Sequence, residues 1–279
     1  SIPEEDAGQC PENAALRLNL TGRTVETIFI GGGTPSVPDS ALIVGIMEHV
    51  RKAFHVAEGA EISMEANPGT VTREKLTDYR RAGINRLSFG LQSANDRELK
   101  LLGRIHTWAE FLESFHLARE CGFTNINIDL MSALPGQTRE SWKDTLKRVT
   151  DLNPEHISAY SLIIEDGTPF GEKYGSEEMY YETKRFLQDC GYERYEISNY
   201  AKPGRACRHN IGYWTGLPYL GLGLGASSYM DGCRFAVNSD MKQYLEEKPG
   251  MFTDVEKLTK KDMEEEFFYV GLRMTAGVS

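Results

Sequence analysis

Val25-Glu-Thr-Ile-Phe-Ile-Gly-Gly-Gly-Thr-Pro35 is the stretch whose reading decides the fold. It opens rich in apolar and β-branched side chains and closes on three glycines and Thr-Pro, the pattern of a buried strand that feeds a tight loop. Glycine has no Cβ, so backbone at such a point can press directly against a ligand. Glycine is also the ordinary residue of a tight turn between strand and helix, and the stretch alone leaves turn and ligand cradle both open.

The pattern then repeats along the chain. Pro38-Asp-Ser40 gives a helix start, and Leu42, Ile43, Ile46, Met47 and Val50 supply one apolar helical face. Strands are expected at 60–67, 84–92, 124–131 and 154–164, with helices over 72–82, 96–102, 108–121 and 139–152 between them. Five strands alternating with helices imply right-handed βα units and a parallel sheet, a partial or complete βα barrel rather than an open doubly wound sheet. Active sites of such barrels lie at the C-terminal ends of the strands. Those ends here are Gly31–Pro35, Glu65 with Asn67, Gln92, Asp129 and Ile163. Each polar residue among them has an ordinary structural reading, but their convergence on one face is what a ligand pocket requires.

Residues 1–24 read as irregular, with a short helix across Glu12–Asn19. Beyond 170 the texture changes to an acidic, aromatic-bearing helix over 176–190, an extended segment over 192–200, a glycine-rich 220–228 and an amphipathic helix over 262–275. Gly221, Gly223 and Gly225 do not make a dinucleotide fingerprint, because the third glycine is misplaced and no βαβ unit surrounds them. The expected division is 1–24, a partial barrel over 25–170, and an α+β extension over 171–279 that reads as incomplete.

Composition excludes some classes. The 279 residues carry 40% apolar side chains and a net charge of −10, ordinary for a globular protein and unsuited to general nucleic-acid binding. There is no apolar run of membrane-spanning length and no signal-peptide core near Ser1. Cys10, Cys121, Cys190, Cys207 and Cys233 are scattered without metal-ligand spacing, which points to reduced thiols and a cytoplasmic setting.

Gly31-Gly-Gly-Thr-Pro35, Glu65 in Met-Glu-Ala-Asn-Pro, Leu91-Gln92, Arg104 and Asp129-Leu-Met-Ser-Ala-Leu-Pro-Gly136 stand in a recognisable order. They resemble the radical S-adenosylmethionine (SAM) family that includes the oxygen-independent coproporphyrinogen III oxidases. Tyr195-Glu-Ile-Ser-Asn-Tyr-Ala-Lys-Pro-Gly204 and His209-Asn-Ile-Gly-Tyr-Trp214 resemble more closely its HemW branch of haem chaperones, and Gly271-Leu-Arg-Met-Thr-Ala-Gly-Val278 resembles the entry to that branch's C-terminal domain. The resemblance implies a partial (β/α) TIM-like barrel, with Gly32, Gly33 and Thr34 against the methionine part of SAM. It places Glu65, Gln92, Arg104 and Asp129 around SAM, with Ile163 lining the pocket. A sulfonium ligand with ammonium and carboxylate ends needs acceptors, a cation and close backbone, which these residue types offer. His209, with Tyr213 and Trp214 beside it, is the expected haem contact, and is otherwise an ordinary turn histidine next to core aromatics.

The same resemblance implies a [4Fe–4S] cluster on a Cys-x-x-x-Cys-x-x-Cys loop, and no such triplet occurs in these 279 residues. The favoured explanation is a missing upstream segment rather than lost radical chemistry. The function implied is haem binding and delivery to a recipient protein, a membrane-associated partner among the possibilities. The alternatives are the oxidase, which turns coproporphyrinogen III into protoporphyrinogen IX, and a SAM-binding barrel without porphyrin.

Overall fold

The computed structural model describes residues 22–161, 176–246 and 252–278; the expected helix over Glu12–Asn19, Cys10 and Ile163 lie outside them. The chain divides into two compact units. One is Thr24–His209, and the other takes residues 22–23 and 210–278 of those described.

The first unit is built on strands β1 (Thr24–Ile30), β2 (His55–Ala66), β3 (Arg86–Gln92), β4 (Ile126–Ser132) and β5 (His156–Ser161). They pair in parallel in sequence order, and β7 (Asn199–Ala201) and β6 (Glu193–Arg194) extend the sheet antiparallel, giving β1-β2-β3-β4-β5-β7-β6. A doubly wound sheet would reverse its strand order at a switch point. This order never reverses, so right-handed crossovers put every connecting helix on one face, as in a barrel left open. The expected partial barrel is the fold found.

Those helices are α1 (Ser40–Ala53), α2 (Arg73–Arg81), α3 (Asp96–Leu101), α4 (Trp108–Glu120) and α5 (Arg139–Asp151). The loops entering them end on Asp39, Thr72, Asn95, Thr107 and Thr138, whose side chains each accept from an otherwise orphaned amide of the first turn. The helix-side face of the sheet is apolar: Ile62, Met64, Leu87, Phe89, Ile126 and Ile128 pack with Leu76, Tyr79, Phe111, Phe115, Trp142 and Leu146 into one buried core. The alternate residues of the same strands are Glu61, Ser63 and Glu65, then Arg86 and Ser88, then Asn127 and Asp129, then His156 and Ser158. Parallel sheets are usually apolar on both faces. Here the inner face is polar, and that asymmetry positions the site.

Helices α6 (Ser176–Asp189) and α7 (Arg208–Trp214) follow, and α7 begins in this unit. The second unit holds an antiparallel sheet of β8 (Ser227–Met230), β9 (Cys233–Val237) and β10 (Phe252–Lys257), with helices α8 (Met241–Leu245) and α9 (Lys260–Gly271). Asp231 and Gly232 join β8 to β9 with φ of 50° and 73°, the left-handed pair that a two-residue hairpin turn demands. Met230 and Phe235 form its small core with Leu220 and Phe252.

Candidate functional site

The C-terminal ends of β1 to β4 bring four of the sequence-marked features together. Gly31 is hemmed in: a Cβ there would lie 3.0 Å from the Phe29 ring and 3.1 Å from the Glu65 carboxyl carbon. Gly32 and Gly33 are the opposite case. Both have left-handed φ, of 83° and 60°, and a Cβ on either would meet open space. Their backbone is therefore presented bare, which suits close approach by a ligand. Glu65 accepts from the Gly32 amide at 3.2 Å, so the carboxylate braces the glycine turn from the next strand. Thr34 accepts from Asn67 Nδ2 at 3.1 Å, and Asn67 N donates to Ser36 at 3.1 Å, which ties the ends of β1 and β2 to each other.

Gln92 ends β3 with φ of 72°, rare outside glycine and sustained only where surroundings enforce it. The pairing of β3 with β4 shifts register just before it, between Phe89 and Gln92. The buried Gln92 is thus turned out of the regular strand at the site's edge. Arg104, between α3 and α4, is half-buried, and its guanidinium makes no hydrogen bond or ion pair with any described residue. Its charge is available to an anion.

Asp129 sits on β4 opposite Ser158 of β5, half-buried. Burial raises its pKa above the usual carboxylate range, while hydrogen bonds from Asn127 and Ser88, the nearby Ser158 hydroxyl and the charge of Arg86 pull it back. Glu65 is also raised, by burial first and then by the Asp129 charge, against the lowering pull of the Gly32 amide. Two carboxylates held where ionisation is costly are poised to be neutralised by a cationic ligand.

Below them the inner face carries residues that sequence reading missed. Asn127 Nδ2 donates to Asp129 at 2.8 Å and to Ser88 at 2.7 Å, Ser88 donates to Asp129 at 3.0 Å, and His156 contacts Asn127 Oδ1 at 2.6 Å. The available signal was the two-residue alternation that puts Ser88, Asn127, Asp129, His156 and Ser158 on one face. Arg86 lies in the same layer at 2% exposure; its Nε has no partner among the described residues, and its Nη1 lies 3.5 Å from Ser63 Oγ.

His209 sits against the middle and later part of β1, and the Phe29 ring it stacks on is the one that hems in Gly31. Its Nδ1 is 2.9 Å from Thr27 Oγ1, and its ring stacks on Phe29 with centroids 5.3 Å apart. The turn before it is fixed by Glu61, a buried carboxylate that accepts from Arg208 N at 3.1 Å, His209 N at 3.2 Å and Cys207 Sγ at 3.4 Å. Burial lowers the His209 pKa, with Arg86 adding to the effect and Glu61 opposing it, so the imidazole is neutral at pH 7.

Tyr213 and Trp214 end α7 and belong to the second unit. Tyr213 meets Tyr219 edge-on at 4.7 Å, Arg273 lies 4.3 Å over the Trp214 ring, and Trp214 Nε1 has no partner among the described residues. Among the described residues no group of three His, Cys, Asp or Glu side chains could hold a metal ion, so they do not fit an iron–sulfur cluster. No described helix is long and apolar enough to cross a membrane.

Comparison with known proteins places this geometry. The radical SAM superfamily model matches residues 11–149. The heme chaperone HemW of Escherichia coli strain K12 is 43% identical over 212 residues, which are 74% of this chain and 56% of that protein. HemW of Bacillus subtilis strain 168 is 37% identical over 270 residues, 91% of this chain and 71% of that protein. Among solved structures, the E. coli coproporphyrinogen III oxidase HemN, described as a radical SAM enzyme, superimposes with a TM-score of 0.78 at 28% identity. That match covers 93% of this chain and 67% of HemN. On these grounds the chain belongs to the HemW family of radical SAM proteins.

Proposed function

We propose that this chain binds SAM at the C-terminal ends of β1 to β4 and haem through His209, and that it passes haem to a recipient protein. The observation that carries the SAM reading is the open, left-handed Gly32-Gly33 backbone with Glu65, Gln92 and Asp129 at the same end of one sheet. In this reading the glycine backbone lies against the methionine part. Glu65 and Asp129, held above their ordinary pKa by burial, regain charge against the cationic groups of the ligand. Arg104 forks onto its carboxylate. When bound, SAM would supply a sulfonium centre and haem an iron open to a nitrogen ligand, which His209 would provide. His209 supports the second role because its imidazole is neutral, as metal ligation requires. The contact of Nδ1 with Thr27 fixes its ring orientation, a common support for a ligating histidine.

The family resemblance to both heme chaperone HemW and the oxidase HemN sets the test. Haem titrated into the chain should give a saturable Soret difference spectrum that His209→Ala loses, and coproporphyrinogen III supplied separately should yield no decarboxylated product. Turnover of coproporphyrinogen III would favour the oxidase reading, and equal haem binding by His209→Ala would remove His209 from the site.

A further inference from the structure

The inner-face hydrogen bonds form a chain whose polarity can be read link by link. Asn127 Nδ2 donates to both Asp129 Oδ1 and Ser88 Oγ, so Ser88 must donate onward to Asp129 Oδ2. That amide orientation leaves Asn127 Oδ1 as an acceptor, and it meets His156 Nδ1 at 2.6 Å and Ser158 Oγ at 3.1 Å. Nδ1 therefore carries the imidazole proton, an assignment set by the network. His156 is wholly buried, and that burial, with the charge of Arg86 beside it, keeps the ring neutral. Nε2 is then an acceptor, and the Tyr195 hydroxyl 2.8 Å away donates to it. The Tyr195 oxygen in turn accepts from Cys207 N at 3.3 Å, in the turn that bears His209. Every donor points the same way, toward the Asp129 carboxylate, and such chains strengthen cooperatively.

We propose that His156 is a positioning residue for the pocket carboxylate. By donating to Asn127 Oδ1 it locks the one amide orientation that presents two donors to Asp129, directly and through Ser88. A flipped Asn127 would set its oxygen against the carboxylate and its NH₂ against the His156 N–H. The same chain gives the pocket a physical link to the 207–209 turn through Tyr195. This inference rests on the reading of Asp129 as a SAM contact.

The test is SAM affinity by calorimetry across pH for the whole chain, for His156→Leu, His156→Gln and Tyr195→Phe. Asp129 is faced by Arg86 from β3, Glu65 from β2 and Tyr160 from β5, none of which these variants alter. Losing donors from an ionised carboxylate raises its pKa, so the acid limb of SAM binding moves to higher pH. His156→Leu should weaken SAM about tenfold and move that limb up by about half a unit. His156→Gln, which can still donate to Asn127, should recover to within about threefold, and Tyr195→Phe should fall between. A merely structural role would lower the melting temperature and leave the limb in place. If His156→Leu fails to fold, Tyr195→Phe, which keeps the ring volume, and the ¹⁵N shifts of the parent His156 decide the matter: the Nδ1–H tautomer supports the chain and the Nε2–H tautomer overturns it. Parent protein that binds SAM beside folded variants with unchanged affinity and acid limb overturns the inference alone. Parent protein that binds no SAM overturns the site reading and this inference with it.

Discussion

Replacing Glu61 by alanine should release the turn that carries His209. Glu61 is 7% exposed, and its carboxylate gathers Arg208 N at 3.1 Å, His209 N at 3.2 Å and the Cys207 thiol at 3.4 Å. A hydrogen bond to a charged partner contributes about 1.5–3 kcal/mol net. Counting only the two backbone bonds, at the low end of that range, the loss is about 3 kcal/mol. Stranding two amide groups in a part-buried turn adds to it. In a unit of this size each kcal/mol moves the melting temperature by about 2–4 °C, so the variant should melt about 6–12 °C below the parent. The ring contacts of His209 with Thr27 and Phe29 depend on the turn staying in place. Haem affinity, read from Soret titration, should therefore fall at least about tenfold, which is a loss of about 1.4 kcal/mol. Glu61→Gln keeps one acceptor oxygen and should recover about half of the lost stability. A Glu61→Ala protein that melts with the parent and binds haem as tightly would refute this account of the turn.

Three further outcomes are expected. Gly31→Ala puts a methyl 3.0 Å from the Phe29 ring and 3.1 Å from the Glu65 carboxyl; it should cost about 1–3 kcal/mol of stability by denaturant melt and weaken SAM binding, while Gly45→Ala, in open space on α1, should do neither. Because burial raises Asp129, the folded apo-protein binds its proton more tightly than the unfolded chain does; stability from this group is complete below the unfolded carboxylate pKa and is lost as pH rises through the raised folded value. Asp129→Asn removes that step, so the variant should gain thermal stability over the parent at pH 7 and lose the advantage on acidification; parallel melting curves at both pH values would count against the buried charge. Arg104→Ala should weaken SAM about tenfold without shifting the melting temperature, since the guanidinium holds no described residue, and an unchanged calorimetric titration would remove it from the pocket.

The half-barrel was legible because its sheet is asymmetric. Ile62, Met64, Leu87, Phe89, Ile126 and Ile128 recur at strand spacing, each run is closed by a capped helix start, and the capping residues Asp39, Thr72, Thr107 and Thr138 are themselves visible in the sequence. The ends of the strands could be read for the same reason, since Glu65 and Asp129 follow from counting along a strand. What could not be read were contacts between distant segments. Glu61 stands in the same strand as Glu65 and looks no different from it, yet its partners lie 146–148 residues away. His156 had no local mark of importance; only the closure of β5 beside β4 brings it to Asn127. The β8–β9 hairpin turns on Asp231-Gly232, a pair that was not singled out in the sequence, because its strands are short and follow a glycine-rich run that hides their period.

The central claim is that SAM lies against Gly32-Gly33 under the influence of Asp129. Isothermal titration of SAM into the whole chain and into Asp129→Ala tests it most directly. The account predicts saturable one-to-one binding by the parent and a loss of at least about tenfold in the variant, about 1.4 kcal/mol, with both proteins folded. Equal affinity in the two proteins would contradict it.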